Sequence, residues 1–316
     1  MKMNVLITGG CGFAGLKLAH RLLEKGHSVY LMDINSEPLE KHPELKEAIF
    51  ISGNVICQAH IINAIKKYKI KWLVHLAGRL SVPSEEDPWS TFEVNARGTF
   101  HALEAARICE VERFVFASAI GTYGLHLPEI IDDETIQRPI SMYGVTKVFG
   151  EQLGTFYRRR FELDFRSIRY CQLIGPGVKT PGVAQCIPMM IEAAAKGDPF
   201  EMWIEEDSIM PVLYCKDGIE ATSCLLHAPK ENIATINYNL GGMKPHFTVK
   251  ELIHSIRTII PHAKIDFNPD PLKVEIVKTI PWNIDDSRLQ EETGYKPVYD
   301  LNSALTDFIR EVQTDR

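Results

Sequence analysis

No stretch of this chain is apolar over the roughly 20 residues that a membrane-spanning helix requires, and Met1-Lys2-Met3-Asn4 runs straight into a strand pattern without a secretory leader. Membrane insertion and export are not expected, and the chain reads as cytoplasmic. Positive charge is also in deficit. The net charge is −6 and no basic stripe stands out, with Arg158-Arg159-Arg160 reading as the solvated end of a helix, so nucleic acid is not an expected partner. The seven cysteines (Cys11, Cys57, Cys109, Cys171, Cys186, Cys215 and Cys224) are odd in number, scattered, and free of Cys-x-x-Cys or Cys/His spacing, which predicts reduced thiols and no bound metal. Repeats and low-complexity linkers are absent too, so a second lobe would be built from segments crossing back over the first.

What is present suits a folded α/β protein: 316 residues, 45% hydrophobic and 24% charged, enough for one large domain with a smaller lobe. The organising stretch is Val5-Leu6-Ile7-Thr8-Gly9-Gly10-Cys11-Gly12-Phe13-Ala14-Gly15, a β-branched run that breaks into glycines and continues as a helix to about Lys25. A strand ending in glycines lets the backbone approach a pyrophosphate, whose charge sits against the unpaired N–H groups of the helix N-terminus. A second strand, Ser28 to Met32, ends in Asp33, at the distance expected for the acid that binds the adenosine ribose hydroxyls. An anion there repels a 2′-phosphate, and Ile34 and Asn35 bring no arginine to bind one. The predicted cofactor is therefore NAD rather than NADP.

Strands and helices then keep alternating, which implies parallel crossover units. A surface helix is predicted over Glu37 to Glu47, a strand over Ala48 to Ser52, a helix over Ile61 to Tyr68 and a buried strand over Trp72 to Ala77. Asn54, after the second of these, is a candidate adenine contact or a solvated turn. The stretch Gly78 to Asp87 reads as a loop at the strand edge where open α/β sheets bind ligands, with Ser81 a candidate substrate contact or a solvated serine. A helix from Pro88 to Arg107 carries Asn95 in its middle, where Asn is a poor helix former, so a buried bonding role is expected of it. Phe114 to Ser118 is another buried strand. Arg166 to Pro176 reads as the last strand of a first domain, and Thr248-Val249-Lys250-Glu251 as a capping box opening a helix.

The chemistry is expected at Tyr143-Gly144-Val145-Thr146-Lys147, at the front of a helix running towards Arg160. Residues i and i+4 share a helix face, so the Lys147 ammonium can stand beside the Tyr143 phenol. Lowering a tyrosine by about three pKa units requires roughly 4 kcal/mol of preferential phenolate stabilisation. A lysine and a positive nicotinamide supply it, whereas burial alone opposes it. Such a phenol is a general base for a hydroxyl proton while hydride leaves for NAD.

Taken together these residues resemble the extended short-chain dehydrogenase/reductases, the NAD-dependent epimerase/dehydratase family, over nearly the whole chain. The C-terminal half is most similar to the short-chain L-threonine 3-dehydrogenases, through Lys179-Thr180-Pro181, Glu206-Asp207 with Pro211 and Tyr214, Asp217-Gly218-Ile219, Tyr238-Asn239-Leu240-Gly241-Gly242-Met243, Ile284-Asp285-Asp286-Ser287-Arg288 and Gly294-Tyr295-Lys296-Pro297. The resemblance implies a doubly wound Rossmann-type parallel sheet with a smaller C-terminal α/β substrate lobe. Residues 1–174 would bind NAD, with later crossover segments near 210–242, and 175–316 would mainly form the lobe. It further implies that Gly9, Gly12, Phe13, Ala14, Gly15, Asp33, Ile34, Asn54, Val55, Leu76, Ala77, Gly78, Asn95, Tyr143, Lys147, Tyr170 and Leu173 line NAD. Ser81, Tyr143, Thr180, Gln185 and Trp282 would meet a small-molecule substrate, and the two long helices would pair in a homodimer.

Departures from the pattern fall in the site. The family's catalytic Ser or Thr corresponds to Ala119, which leaves Ser118, or Thr122 behind it, as a substitute hydroxyl. Adjacent strand residues face opposite ways, so Ser118 serves only if the strand has ended or bulged there; otherwise it is a structural hydroxyl. The Gly-Gly-Thr-Thr segment of the threonine dehydrogenases is replaced by Gly182-Val183-Ala184-Gln185, and their Trp-Pro by Ile280-Pro281 with Trp282 beyond. Ile209 stands where nucleotide-sugar relatives carry a diphosphate-binding arginine. The expected activity is NAD-dependent oxidation of a secondary alcohol on a small β-hydroxy amino or hydroxy acid; the alternative is a nucleotide-sugar epimerase or dehydratase with tightly held NAD.

Overall fold

A computed structural model describes residues 1–178 and 183–314. The β-branched opening run forms β1 (Asn4–Thr8), and the chain continues as α1 (Phe13–Glu24), β2 (Ser28–Asp33), α2 (Glu37–Glu40), β3 (Ile49–Ser52), α3 (Gln58–Tyr68) and β4 (Trp72–His75). The helix expected over Glu37 to Glu47 is cut short. Pro43 has no N–H and holds His42 out of the helical region, so α2 stops and a separate 3-10 turn spans Pro43–Leu45.

The stretch after β4 is not all loop, because α4 (Ser81–Glu86) forms within it and leads to α5 (Pro88–Thr91). Next comes a π-helical turn, Phe92–Arg97, and then α6 (Gly98–Ile108). The long helix expected from Pro88 thus contains one widened turn, and Asn95 sits in it. After β5 (Arg113–Ala119) follow α7 (Met142–Phe161), β6 (Asp164–Tyr170) and β7 (Gln172–Ile174). The strand expected from Arg166 onward is two strands, parted at Cys171, which belong to different sheets.

The remaining elements are α8 (Cys186–Lys196), β8 (Phe200–Met202), β9 (Val212–Tyr214), α9 (Cys215–His227), β10 (Asn237–Leu240), α10 (Val249–Ile259), β11 (Ile265–Phe267), α11 (Pro271–Lys278), α12 (Ser287–Thr293) and α13 (Leu301–Thr314). The expected capping box is formed, with Thr248 and Glu251 each bonding the other's backbone N–H.

Seven parallel strands make the main sheet in the order β10-β6-β5-β4-β1-β2-β3. Alternate residues face opposite layers: Val5, Ile7, Leu31, Val74, Val115 and Ile168 join one apolar core, and Leu6, Met32, Leu73, Phe114, Phe116 and Phe165 the other. Burial on both faces is why these strands read as continuous apolar runs. From β1 the chain winds outward through β2 and β3, then crosses to the other side of β1 at β4. The strand ends at that reversal open the crevice in which such sheets bind ligands.

Two small parallel pairs, β7-β9 and β8-β11, lie outside the main sheet, whereas β10 returns to its edge. The return is anchored by charge. Asp164 binds the buried Arg166 together with Arg113 and Arg158, and Arg166 and Arg113 donate to the last carbonyls of α9, at Leu225, Leu226 and Ala228. Cations at a helix C-terminus satisfy its unpaired carbonyls and its dipole.

Candidate active site

At the end of β1 the backbone of Gly9 adopts φ +68°, and a Cβ there would lie 2.7 Å from the Ala77 nitrogen, so only glycine lets β1 and the segment after β4 approach this closely. A Cβ on Gly15 would meet the carbonyl oxygens of Gly9 and Gly10 at 2.6 Å, which seats the first turn of α1 on the glycine turn. Gly12 caps α1 without a side-chain bond, and no acid stands in that turn. The helix N-terminus therefore keeps its N–H groups and positive dipole end for an anion. Phe13 and Ala14 open the same turn, with the Phe13 ring 3.2 Å from where a Cβ on Gly175 would stand.

Asp33, closing β2, is held in place: Oδ2 accepts the Cys11 N–H at 3.0 Å and Oδ1 that of Ile34 at 2.8 Å. Ile34 itself is exposed. Asn54 spends its Oδ1 on the Ile56 N–H at 3.1 Å, which shapes the turn after β3, and Val55 is buried against the Gly98 turn. The glycine cradle, the uncapped helix end and the fixed carboxylate fit the diphosphate and adenosine ribose of a dinucleotide.

On the other side of the crevice, Leu76, Ala77 and Gly78 follow β4. Asn95 pins this segment, its Oδ1 accepting the Arg79 N–H at 2.7 Å and its Nδ2 donating to the Arg79 carbonyl at 3.0 Å and to Thr146 at 3.2 Å. The residue expected to line NAD thus spends its side chain on the wall of the crevice and on α7. Ser81 is exposed as the first residue of α4.

Tyr143 and Lys147 stand together on one face of α7. The Lys147 ammonium lies 5.5 Å from the centroid of the Tyr143 ring, donates to the Ala117 carbonyl at 2.7 Å, and would be 3.5 Å from a Cβ on Gly78. Burial pushes the Tyr143 phenol up and the Lys147 ammonium down to about 8, the latter opposed by the charge of Glu151. In the protein by itself burial outweighs the lysine at the phenol.

Ser118 does not replace the hydroxyl missing at Ala119. The strand runs unbroken through Ala119, and the Ser118 hydroxyl, buried, donates to Glu151. Thr122 is likewise engaged, donating to the Ala119 carbonyl at 2.9 Å. Tyr170 turns its hydroxyl to Thr222 of α9, and Leu173 packs where a Cβ on Gly218 would stand. The Gln185 side-chain oxygen is buried without a hydrogen bond among the described residues, and Trp282 is 39% exposed with its ring edge-on to His246. Thr180 lies outside the described residues.

Several groups around the site carry no sequence motif of their own. His75 is fully buried at the strand reversal between the Thr8 and Thr99 hydroxyls, at 2.7 and 3.2 Å, and burial, with the Lys147 charge, lowers it to about 3. Glu151 is fully buried and paired with Arg169 at 2.8 Å. The only signal for Glu151 is spacing, one further helical turn beyond Lys147 on the face that carries Tyr143.

A model of the NAD dependent epimerase/dehydratase family matches residues 5–241. The chain belongs to that family. Its cofactor is NAD. Among relatives in the family, the mitochondrial L-threonine 3-dehydrogenase of Bos taurus is 31% identical over 98% of this chain and 82% of that protein. The X-ray structure of L-threonine dehydrogenase from Clostridium difficile superposes with a TM-score of 0.90 at 28% identity, covering 100% of this chain and 99% of that one. UDP-glucose 4-epimerase of Thermus thermophilus, solved in complex with NAD, superposes at 0.84 with 25% identity over 98% and 99% of the two chains. Threonine dehydrogenase and UDP-glucose 4-epimerase thus share this fold, so the substrate has to be argued from the site.

Proposed function

We propose that the protein is an NAD-dependent dehydrogenase that oxidises the secondary alcohol of a small β-hydroxy amino or hydroxy acid, with L-threonine the leading candidate. The observation that carries this reading is the Tyr143/Lys147 pair on one face of α7, the phenol half-buried and the ammonium buried beside Gly78 on the wall of the crevice. Gly9, Gly12 and Gly15 would hold the diphosphate, Asp33 the adenosine ribose, and Lys147 the nicotinamide ribose. Bound NAD supplies an oxidised nicotinamide ring that accepts hydride.

The protein's own part is to move a proton. Tyr143 Oη takes it from the substrate hydroxyl, and the Lys147 ammonium makes the phenolate attainable against the burial that opposes it. Ser81, exposed at the start of α4, is the hydroxyl we assign to orient the substrate oxygen, since Ser118 and Thr122 are engaged elsewhere. Gln185 and Trp282 would close the pocket from residues 175–316, with 1–174 and the β9 to β10 crossover forming the NAD-binding part. Similarity to L-threonine dehydrogenases across nearly the full chain supports this substrate class.

Partners and setting follow the same reading. Phe92, Phe100, Val145, Phe149 and Phe156 are exposed on the two adjacent long helical segments, an apolar face suited to a second copy of the chain. All seven cysteines are unpaired, as in a reducing, cytoplasmic compartment.

The test is a spectrophotometric screen of NAD reduction with L-threonine, L-serine and other hydroxy acids. Turnover with one of them is expected, and Tyr143→Phe should lower kcat by about 10²- to 10⁴-fold while leaving NAD binding in place. NAD binding without reduction by any of these substrates would overturn the reading; interconversion of a UDP-sugar without net NAD reduction would replace it with the epimerase.

A further inference from the structure

The proposed reaction requires a charged Lys147, yet the fold surrounds its ammonium with groups that carry little charge. From α7 it meets the Tyr143 ring; from β5 it meets the Ala117 carbonyl and the Phe116 ring, 5.0 Å from the centroid. Gly78 and, behind it, Asn95 stand on the crevice side, and from β4 the neighbouring ionisable group is His75, held neutral by burial. Glu151 is the neighbouring anion.

Glu151 has no exposed surface and is fastened from three elements. Arg169 of β6 reaches it through Nε at 3.0 and 3.1 Å and through Nη2 at 2.8 Å, Gln137 donates at 3.0 Å, and Ser118 donates from β5. Arg169 is fixed in turn by the Tyr123 hydroxyl and the Asp133 carbonyl, each at 2.9 Å. A buried ion pair of this kind is weak evidence for stability, because apolar residues of similar volume hold a core as well or better. Its location gives it another use. Glu151 follows Lys147 by one helical turn on the same face, as Lys147 follows Tyr143, and Ala117 and Ser118, the partners of Lys147 and Glu151, are consecutive on β5.

We propose that Glu151 is a positioning residue for the reaction: its buried carboxylate is the fixed counter-charge that keeps the Lys147 ammonium loaded and seated at the Ala117 carbonyl, with Ser118 and Arg169 fixing the carboxylate. Arg169 offsets part of this field, but of the two it is the carboxylate, one turn away on the same helix, whose charge acts on Lys147. This also gives Ser118 a purpose other than touching substrate. The kinetic consequence rests on the dehydrogenase reading; the electrostatic one does not.

The experiment titrates Lys147 directly, by NMR of cofactor-free protein carrying ε-13C-labelled lysine, with the resonance identified by its loss in Lys147→Arg. The wild type should titrate near pH 8. In Glu151→Gln the midpoint should fall by about one unit or more, and Glu151→Asp should restore most of it. If Glu151→Gln fails to fold because Arg169 is left unpaired, the Glu151→Gln/Arg169→Gln double variant removes both charges and should still titrate lower. Equal midpoints in the wild type and the folded charge-removed variant would overturn the proposal. Kinetically, the alkaline limb of the kcat profile should move down in pH by the same amount. A wild type that oxidises none of the substrates defeats the dehydrogenase reading and leaves the titration standing.

Discussion

At the residue scale, Asp33 has two duties that one substitution separates. Its Oδ2 orders the glycine turn through the Cys11 N–H while Oδ1 accepts that of Ile34, and in the proposed reading its charge meets the adenosine ribose. Asparagine keeps an acceptor and loses the charge. Asp33→Asn is therefore expected to weaken NAD about 10- to 100-fold, as for a lost charge-assisted hydrogen bond, and to narrow the preference over NADP, because the repulsion of a 2′-phosphate goes too. Calorimetric titration with both dinucleotides checks this; an unchanged NAD-to-NADP ratio would count against the assignment.

At the scale of the element, α7 shows how one helix serves two surfaces. Tyr143, Lys147 and Glu151 face the sheet, and Gly150 and Gly154 let it lie close: a Cβ would come within 2.4 Å of the Phe116 ring at the first and 2.0 Å of the Phe165 ring at the second. That closeness brings the ammonium to a strand carbonyl. The opposite face leaves Val145, Phe149 and Phe156 exposed beside Phe92 and Phe100. A pair of chains joined there should show twice the single-chain mass in sedimentation. Phe100→Glu with Phe149→Glu should reduce it to one chain without disturbing the site on the inner face, whereas a wild type that already sediments as one chain would remove the dimer.

For the molecule as a whole, buried neutral histidines tie stability to pH. His27 accepts the Met3 N–H on Nδ1 at 3.2 Å, and His227 donates from Nδ1 to the Ser223 carbonyl at 2.6 Å. Their Nε2 atoms, 2.8 Å apart, therefore share the single proton carried by His27. A second proton would set two N–H groups against each other. His27 is lowered to about 4 and His75 to about 3, chiefly by burial, and His227 is lowered as well. The unfolded chain, with histidines near 6.5, binds more protons than the folded one between that value and the folded pKa values. Stability is thus fully present above about pH 7 and is lost as pH falls through 6 towards 4. Asp133, raised to about 6 by burial, and Asp217, also raised by burial, work in the opposite direction but are two groups against four, since His246 is lowered as well. Unfolding free energies from urea titrations should fall steadily from pH 7 to pH 4.5, by an amount on the order of several kcal/mol; a flat profile would contradict the neutral assignments.

The parts of the site that were legible in the sequence are those governed by local geometry. Glycines at a strand end, an acid closing the next strand, and Tyr and Lys one turn apart each state a backbone or spacing requirement that neighbouring residues satisfy, and the chain keeps all three. Pro43 also announced its break locally, although the helical pattern around it masked the signal. Ser118 could not be settled in this way, since both of its readings were compatible with its neighbours in sequence.

What the sequence determined by itself was the alternation of strands and helices, the glycine turn and the Tyr/Lys spacing that we propose as the reactive pair, because each is stated by residues a few positions apart. Only the tertiary structure decided which groups surround that pair. His75 and Asn95 come alongside it from β4 and the widened turn before α6, Arg169 of β6 binds Glu151 one turn further along α7, and the Ser118 hydroxyl is drawn to that carboxylate 33 residues along the chain. The physical reason is burial: a charge or hydroxyl taken out of water has to find its partner in whatever the fold brings alongside, and that is fixed by the packing of helices on the sheet.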